Sequence, residues 1–139
     1  PIPGPMDEYE KSVKRHCGRV GAVEVFLSGP GLENYYEHIT KTKISSRDIV
    51  SLYQENDSVA GEVMDIYFER IARSFSTFVN ILDPDIIVCG GGMSEIDEIY
   101  EEVPNRIVPY IASKFFRTPI VKATHGSSSG VRGAAHLWN

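Results

Sequence analysis

Apolar residues recur at helical spacing along one long stretch of this chain. Met64, Phe68, Ile71, Phe75, Phe78 and Leu82 follow one another at steps of four, three, four, three and four. That period lays a continuous apolar stripe along a helix from about Val59 to Leu82. Asp83-Pro84-Asp85 stops it, because the residue before a proline is pushed out of the helical region. The pattern then changes. Ile86-Ile87-Val88-Cys89 is a short unbroken apolar run of β-favouring residues, the expectation for a strand buried on both faces. Gly90-Gly91-Gly92 follows and lets the backbone turn tightly.

The same reasoning covers the flanks. Residues 1–20 are proline-rich and then charged, and read as a loop. Val23, Phe26 and Leu27 share a helical spacing, and Ser28-Gly29-Pro30-Gly31 should break the chain before a helix over Leu32 to Ile39. Ser45 or Ser46 suits the cap of a helix over Arg47 to Glu55, with Ile49, Leu52 and Tyr53 as its stripe. Ser94 is expected to cap a helix over Glu95 to Glu102, and Pro104 to break it or restart it. Pro119 to Ala123 reads as a second short strand, beginning on a proline that a strand start tolerates. Val131 to Trp138 reads as a terminal helix. A strand, a glycine turn, a helix and another strand make a small α/β arrangement with a parallel sheet.

Composition narrows the classes. The chain has 139 residues, 42% hydrophobic and 24% charged, which is ordinary for one globular domain or part of one. A net charge of −5 argues against a generic nucleic-acid surface. No apolar run approaches the ~20 residues that span a bilayer. Pro1-Ile2-Pro3-Gly4-Pro5 has neither the basic start nor the apolar centre of a signal peptide, and Cys17 and Cys89 lie far apart, so a reduced, cytoplasmic setting is expected. A first residue other than methionine, in loop composition, suggests a piece of a longer protein.

Four places could carry chemistry. The Gly90–Gly92 turn exposes amide hydrogens with no Cβ in the way, which suits a nucleotide as well as it suits a plain tight turn. Glu24 stands alone in an apolar octet and either faces solvent or accepts hydrogen bonds from a polar ligand. His125 sits between a strand end and a polar turn, as a ligand contact or as a histidine bonded to backbone. Cys17 and His16 lack the Cys-x-x-Cys spacing of a zinc site. Ser127-Ser128-Ser129 has no evident base and reads as a helix entry.

Three longer stretches resemble the ROK family (repressors, open reading frames and sugar kinases). Arg15 to Gly29 follows its CxCGxxGCxExxxSG signature, Asn80 to Ser94 follows NILDPDxIVxGGGxS, and His125 to Ala135 follows HGDSSGxRGAA with Ser127 in place of aspartate. The resemblance implies the C-terminal portion of an actin-like, ribonuclease-H-like fold, mostly helical with a small parallel sheet remnant. It implies phosphoryl transfer from ATP-magnesium to a hexose, with fructokinase or mannokinase members most similar and N-acetylhexosamine kinases next. By that resemblance Gly90, Gly91 and Gly92 contact adenosine and Glu24 the sugar hydroxyls; His125, from its place at the strand end, is taken as a second substrate contact. Family zinc uses three signature cysteines, and here Arg15 and Ala22 replace two of them. Cys17 is left as a remnant, and zinc is not carried over with it.

The family's phosphate loops and catalytic aspartate precede the region matched here. Residues 1–20 are then a degenerate zinc-loop region and residues 21–139 the helical, adenosine-binding part. The expected partners are a sugar, an N-terminal half and a second copy, with neither nucleic acid nor membrane. No catalytic residue is expected in this chain, and alone it should be inactive. A sugar-sensing domain of a ROK repressor and a non-catalytic remnant are the alternatives.

Overall fold

A computed structural model describes residues 1–138. The centre is α5, Ser58–Leu82. Asp57 caps it, its Oδ1 accepting from the Ala60 N–H at 2.8 Å. Asp83 ends it in the left-handed region, its N–H donating to the Val79 carbonyl, and Pro84 prevents continuation. Val63, Met64, Tyr67, Phe68 and Ile71 are buried along the expected stripe.

Shorter helices wrap this rod. These are α1 (Glu8–Ser12), α2 (Glu24–Leu27), α3 (Gly29–Thr40) and α4 (Ser46–Gln54) before it, and α6 (Glu98–Arg106) and α7 (Ser129–Ala135) after it. Leu32 and Tyr36 of α3, Ile49 of α4, and Ile99 and Val103 of α6 complete the core, with Ile96 and Ile107 beside α6. Strands β1 (Ile87–Cys89) and β2 (Ile120–Lys122) pair in parallel, Ile87 opposite Ile120 and Cys89 opposite Lys122, with α6 in the crossover. The fold is therefore the expected helical α/β arrangement with a two-stranded parallel sheet.

Several local expectations need correction. Residues 1–20 are not all loop. Asp7 and Glu10 form a capping box that starts α1, each side chain accepting from the other's backbone N–H. Gly29-Pro30-Gly31 does not separate two helices; it is the first turn of α3, where proline needs no hydrogen-bonded N–H. A Cβ at Gly31 would collide with the Val25 carbonyl, so this glycine lets α2 and α3 meet at a close corner. Ser94 caps no helix. It is buried in a 3-10 turn, Gly92–Glu95, with its hydroxyl donating to the Gly91 carbonyl, and α6 starts later. Pro104 lies inside α6 instead of breaking it.

The largest departure concerns the sheet and the end of α5. Phe78 is 55% exposed, Leu82 67% and Val88 58%, so the apolar stripe outlasts the core and β1 is not buried on both faces. An apolar groove of about 450 Å³ runs between these residues and Ile86.

Candidate functional site

The carboxyl ends of both strands converge on the glycine turn. The Ala123 N–H donates to the Cys89 carbonyl at 2.8 Å, carrying the pairing one step past the strands. The chain then turns through Gly90–Gly92, all exposed. Gly91 has a φ of 90°, in the left-handed region that favours glycine. A Cβ built on Gly91 or Gly92 would meet nothing within 4 Å. The turn is thus open towards solvent, with space for a ligand to lie against its backbone.

A cleft of about 620 Å³ opens beside it. Gly92, Met93 and Glu95 form one wall and Ser28 and Gly29 of the α2–α3 corner another. The face of α4 that carries Arg47, Ser51 and Gln54 forms the third. Those three recur at helical spacing on the side of α4 opposite buried Ile49. Sequence reasoning missed them. Their signal was faint: the polar face of an amphipathic helix usually means solvent.

Charge at the turn is arranged in pairs. Lys122 Nζ lies 2.8 Å from Glu95 Oε2 and 3.4 Å from Asp97 Oδ1, and these carboxylates hold its ammonium above the usual lysine value. Two carboxylates around one ammonium make a poor seat for a polyanion and a tolerable one for an uncharged nucleoside. Burial pushes the Cys89 thiol up, so this cysteine stays a neutral wall residue.

His125 is exposed three residues past β2, just before the 3-10 turn Gly126–Ser128 that contacts the Gly92–Glu95 turn. The serines after it do enter a helix, α7. The neighbours of His125, Ala123 and Gly126, lie against Gly90 and Glu95. Glu24 the fold places elsewhere, on a groove of about 350 Å³ with Lys14, Ser28 and Asn34. Ser28 lines both this groove and the larger cleft, so the two spaces adjoin across one residue. Glu24 Oε1 lies 3.0 Å from Arg15 Nε, an exposed ion pair.

Zinc does not fit. Among the described residues no group of three or more His, Cys, Asp and Glu is placed to hold a metal ion. Arg15 and Ala22 bring no ligand, and Cys17 is exposed at a hairpin tip. That hairpin closes through backbone hydrogen bonds, Arg15 N–H to the Arg19 carbonyl and Gly18 N–H to the Arg15 carbonyl, both 2.8 Å.

Comparison with known proteins agrees with this architecture. The model of a family described as ROK matches residues 4–139. An N-acetyl-D-glucosamine kinase of Vibrio atlanticus (strain LGP32) is 42% identical over 121 residues, which is 87% of this chain and 40% of that protein. One from Haemophilus influenzae (strain 86-028NP) is 35% identical over 122 residues, 88% of this chain and again 40% of the relative. The chain spans about 40% of the length of the curated relatives it matches. Among solved structures, a ROK hexokinase from Thermus thermophilus superposes with a TM-score of 0.77 at 22% identity, covering 91% of this chain and 43% of that one. A ROK family glucokinase from Streptomyces griseus, in complex with glucose and AMPPNP, gives 0.75 at 20% identity, covering 87% and 45%. At these identities the structures share the fold, which is the actin-like fold of ROK sugar kinases.

Proposed function

The chain belongs to the ROK family, and we propose that it is the adenosine- and sugar-contacting C-terminal part of an ATP-dependent hexose kinase. The observation that carries the reading is the open glycine turn at the strand ends, beside a cleft lined by Gly92. Gly90, Gly91 and Gly92 take the adenosine end of ATP. Glu24 and His125 are polar groups for sugar hydroxyls, which must be read by hydrogen bonds. Residues 1–20 are a degenerate zinc-loop region and residues 21–139 the nucleotide-binding part; Asn139 lies outside the described residues.

Phosphoryl transfer also needs positioned phosphates, magnesium and an activated hydroxyl. In this reading those groups come from a preceding half of the polypeptide. That half also covers the apolar groove around Phe78, Leu82, Ile86 and Val88. The chain alone then turns over no sugar, and ATP-dependent phosphorylation by these residues in a coupled assay would overturn this. Among the described residues no helix is long and apolar enough to cross a membrane.

The sugar follows from the relatives. N-acetyl-D-glucosamine kinases at 42% and 35% identity make an N-acetylhexosamine the first substrate to try, ahead of fructose, mannose and glucose. The full reading frame is assayed with each sugar and ATP. A fructose preference would favour the fructokinase resemblance, and no turnover with any would favour a sugar-sensing or non-catalytic role. Gly92→Val tests the nucleotide site. Its Cβ meets nothing in the fold, so folding is preserved while affinity for an ATP analogue falls at least ~10-fold, as expected when a side chain fills a ligand's position. Unchanged affinity would remove the turn from the site.

A further inference from the structure

The loop where the resemblance places zinc lacks two of its cysteines, yet the segment that carries it is held firmly by other means. Glu10 of α1 is 1% exposed and Arg70 of α5 2% exposed. Arg70 Nε donates to Glu10 Oε1 at 2.9 Å, and its Nη2 donates to Asp7 Oδ2 at 3.2 Å. Arg73, one turn further along α5, donates from Nη1 to Glu10 Oε1 at 3.2 Å. Its Nε donates to the Pro3 carbonyl at 2.7 Å and its Nη2 to the Pro5 carbonyl at 3.1 Å. Two guanidiniums thus face two carboxylates and two carbonyls, and the cluster is close to neutral. A buried charge is tolerable only with this degree of pairing.

The cluster reaches beyond α1. The Arg70 guanidinium lies over the rings of Tyr35 at 4.3 Å, Phe26 at 5.2 Å and Tyr9 at 5.5 Å. One side chain therefore ties α1, α2 and α3 to α5. The Ile2 N–H donates to the Gly21 carbonyl at 2.6 Å, so the segment held by Arg73 is bonded to the base of the hairpin. The hairpin leads into α2, which presents Glu24.

We infer that a buried guanidinium–carboxylate clasp of Glu10, Arg70 and Arg73 fixes residues 1–27 on α5 without zinc. The inference concerns what holds the hairpin and does not rest on the kinase reading. An ion bonded to thiolates is lost to chelators and oxidants. A clasp of guanidiniums and carboxylates is indifferent to both.

The test needs no activity. The chain is expressed with added zinc, and bound metal is measured by mass spectrometry. Hydrogen exchange of residues 1–21 is then followed with and without a chelator, in the parent, Glu10→Gln and Arg73→Met. Less than ~0.1 zinc per chain and chelator-insensitive exchange are expected, because a structural site saturates when metal is supplied. Glu10→Gln should speed exchange in residues 1–21 by at least ~10-fold while the middle of α5 keeps its protection, as local opening predicts. Arg73→Met keeps the Glu10–Arg70 pair, so it decides the matter if Glu10→Gln does not fold. It should loosen residues 1–6 most. About one zinc per chain with chelator-dependent loosening overturns the inference. So does exchange that no variant changes, or that rises equally throughout α5.

Discussion

The middle of α5 and its C-terminal end meet their surroundings in opposite ways. Around Arg70 and Arg73 every charged group finds a partner within the chain, and even a guanidinium is buried. Around Phe78, Leu82 and Val88, residues that could pack lie in the open. Polar groups are satisfied one by one at short range, so a clasp closes on itself. Apolar surface is satisfied only by area, and a two-stranded sheet does not supply enough of it. The middle reads as self-sufficient and the C-terminal end as a surface awaiting another.

Removing the hub should strain that comparison most. Arg70→Met leaves Glu10 and Asp7 buried or half-buried with one guanidinium fewer, and should cost about 3–5 kcal/mol by urea unfolding. A cost below ~1 kcal/mol would mean the cluster is only an apolar-replaceable plug. Gly31→Ala comes next. Its Cβ would strike the Val25 carbonyl, which is backbone and cannot swing aside. About 1–3 kcal/mol should be lost as the α2–α3 corner opens, and the Glu24 groove and the cleft beyond Ser28 should change together.

What the sequence disclosed divides along the same line. The stripe from Met64 to Ile71 and both strands follow from local periodicity, which acts through the core and needs no knowledge of neighbours. Glu10 with Arg70 could not be read this way. The partners lie 60 positions apart, and a charge on a helix looks solvated until its neighbour is known. The same ignorance works in reverse at Val88: an apolar run predicts burial, but nothing among the described residues covers it. Gly90–Gly92 was legible as a turn from its residues and as a nucleotide contact only by resemblance. The α4 wall of the cleft, Arg47, Ser51 and Gln54, carried no readable signal, because a polar helix face looks the same whether water or ligand lies against it.

Tyr67, one turn before Arg70 in α5, sharpens the contrast through pH. Its hydroxyl donates to the Leu27 carbonyl at 2.9 Å, and burial pushes its phenol well above the usual tyrosine value. Below pH ~10 folded and unfolded chains both keep the proton, and the group adds no slope. Above that the unfolded chain releases it first, so stability falls as pH rises, by up to ~1.4 kcal/mol per pH unit from this residue. Tyr67→Phe should cost ~1 kcal/mol near neutrality for the lost hydrogen bond. It should also flatten the alkaline fall relative to the parent. Parallel curves for the two proteins would mean that Tyr67 opens to solvent before the chain unfolds.

The smallest effect on stability is expected where the apolar groups are largest. Ile86, just before β1, and Val88 within it alternate onto one side of the chain, and both are more than half exposed. Ile86→Thr with Val88→Thr removes apolar surface that this chain does not bury, and threonine keeps the β-branch that suits a strand. Unfolding should shift by no more than ~0.5 kcal/mol, as for other exposed sites. Sedimentation, by contrast, should move towards monomer if this exposed apolar surface draws a second copy of the chain. A loss of 2 kcal/mol or more, the scale of core truncation, would show that β1 is buried in the working protein and that the C-terminal end of α5 is closed after all.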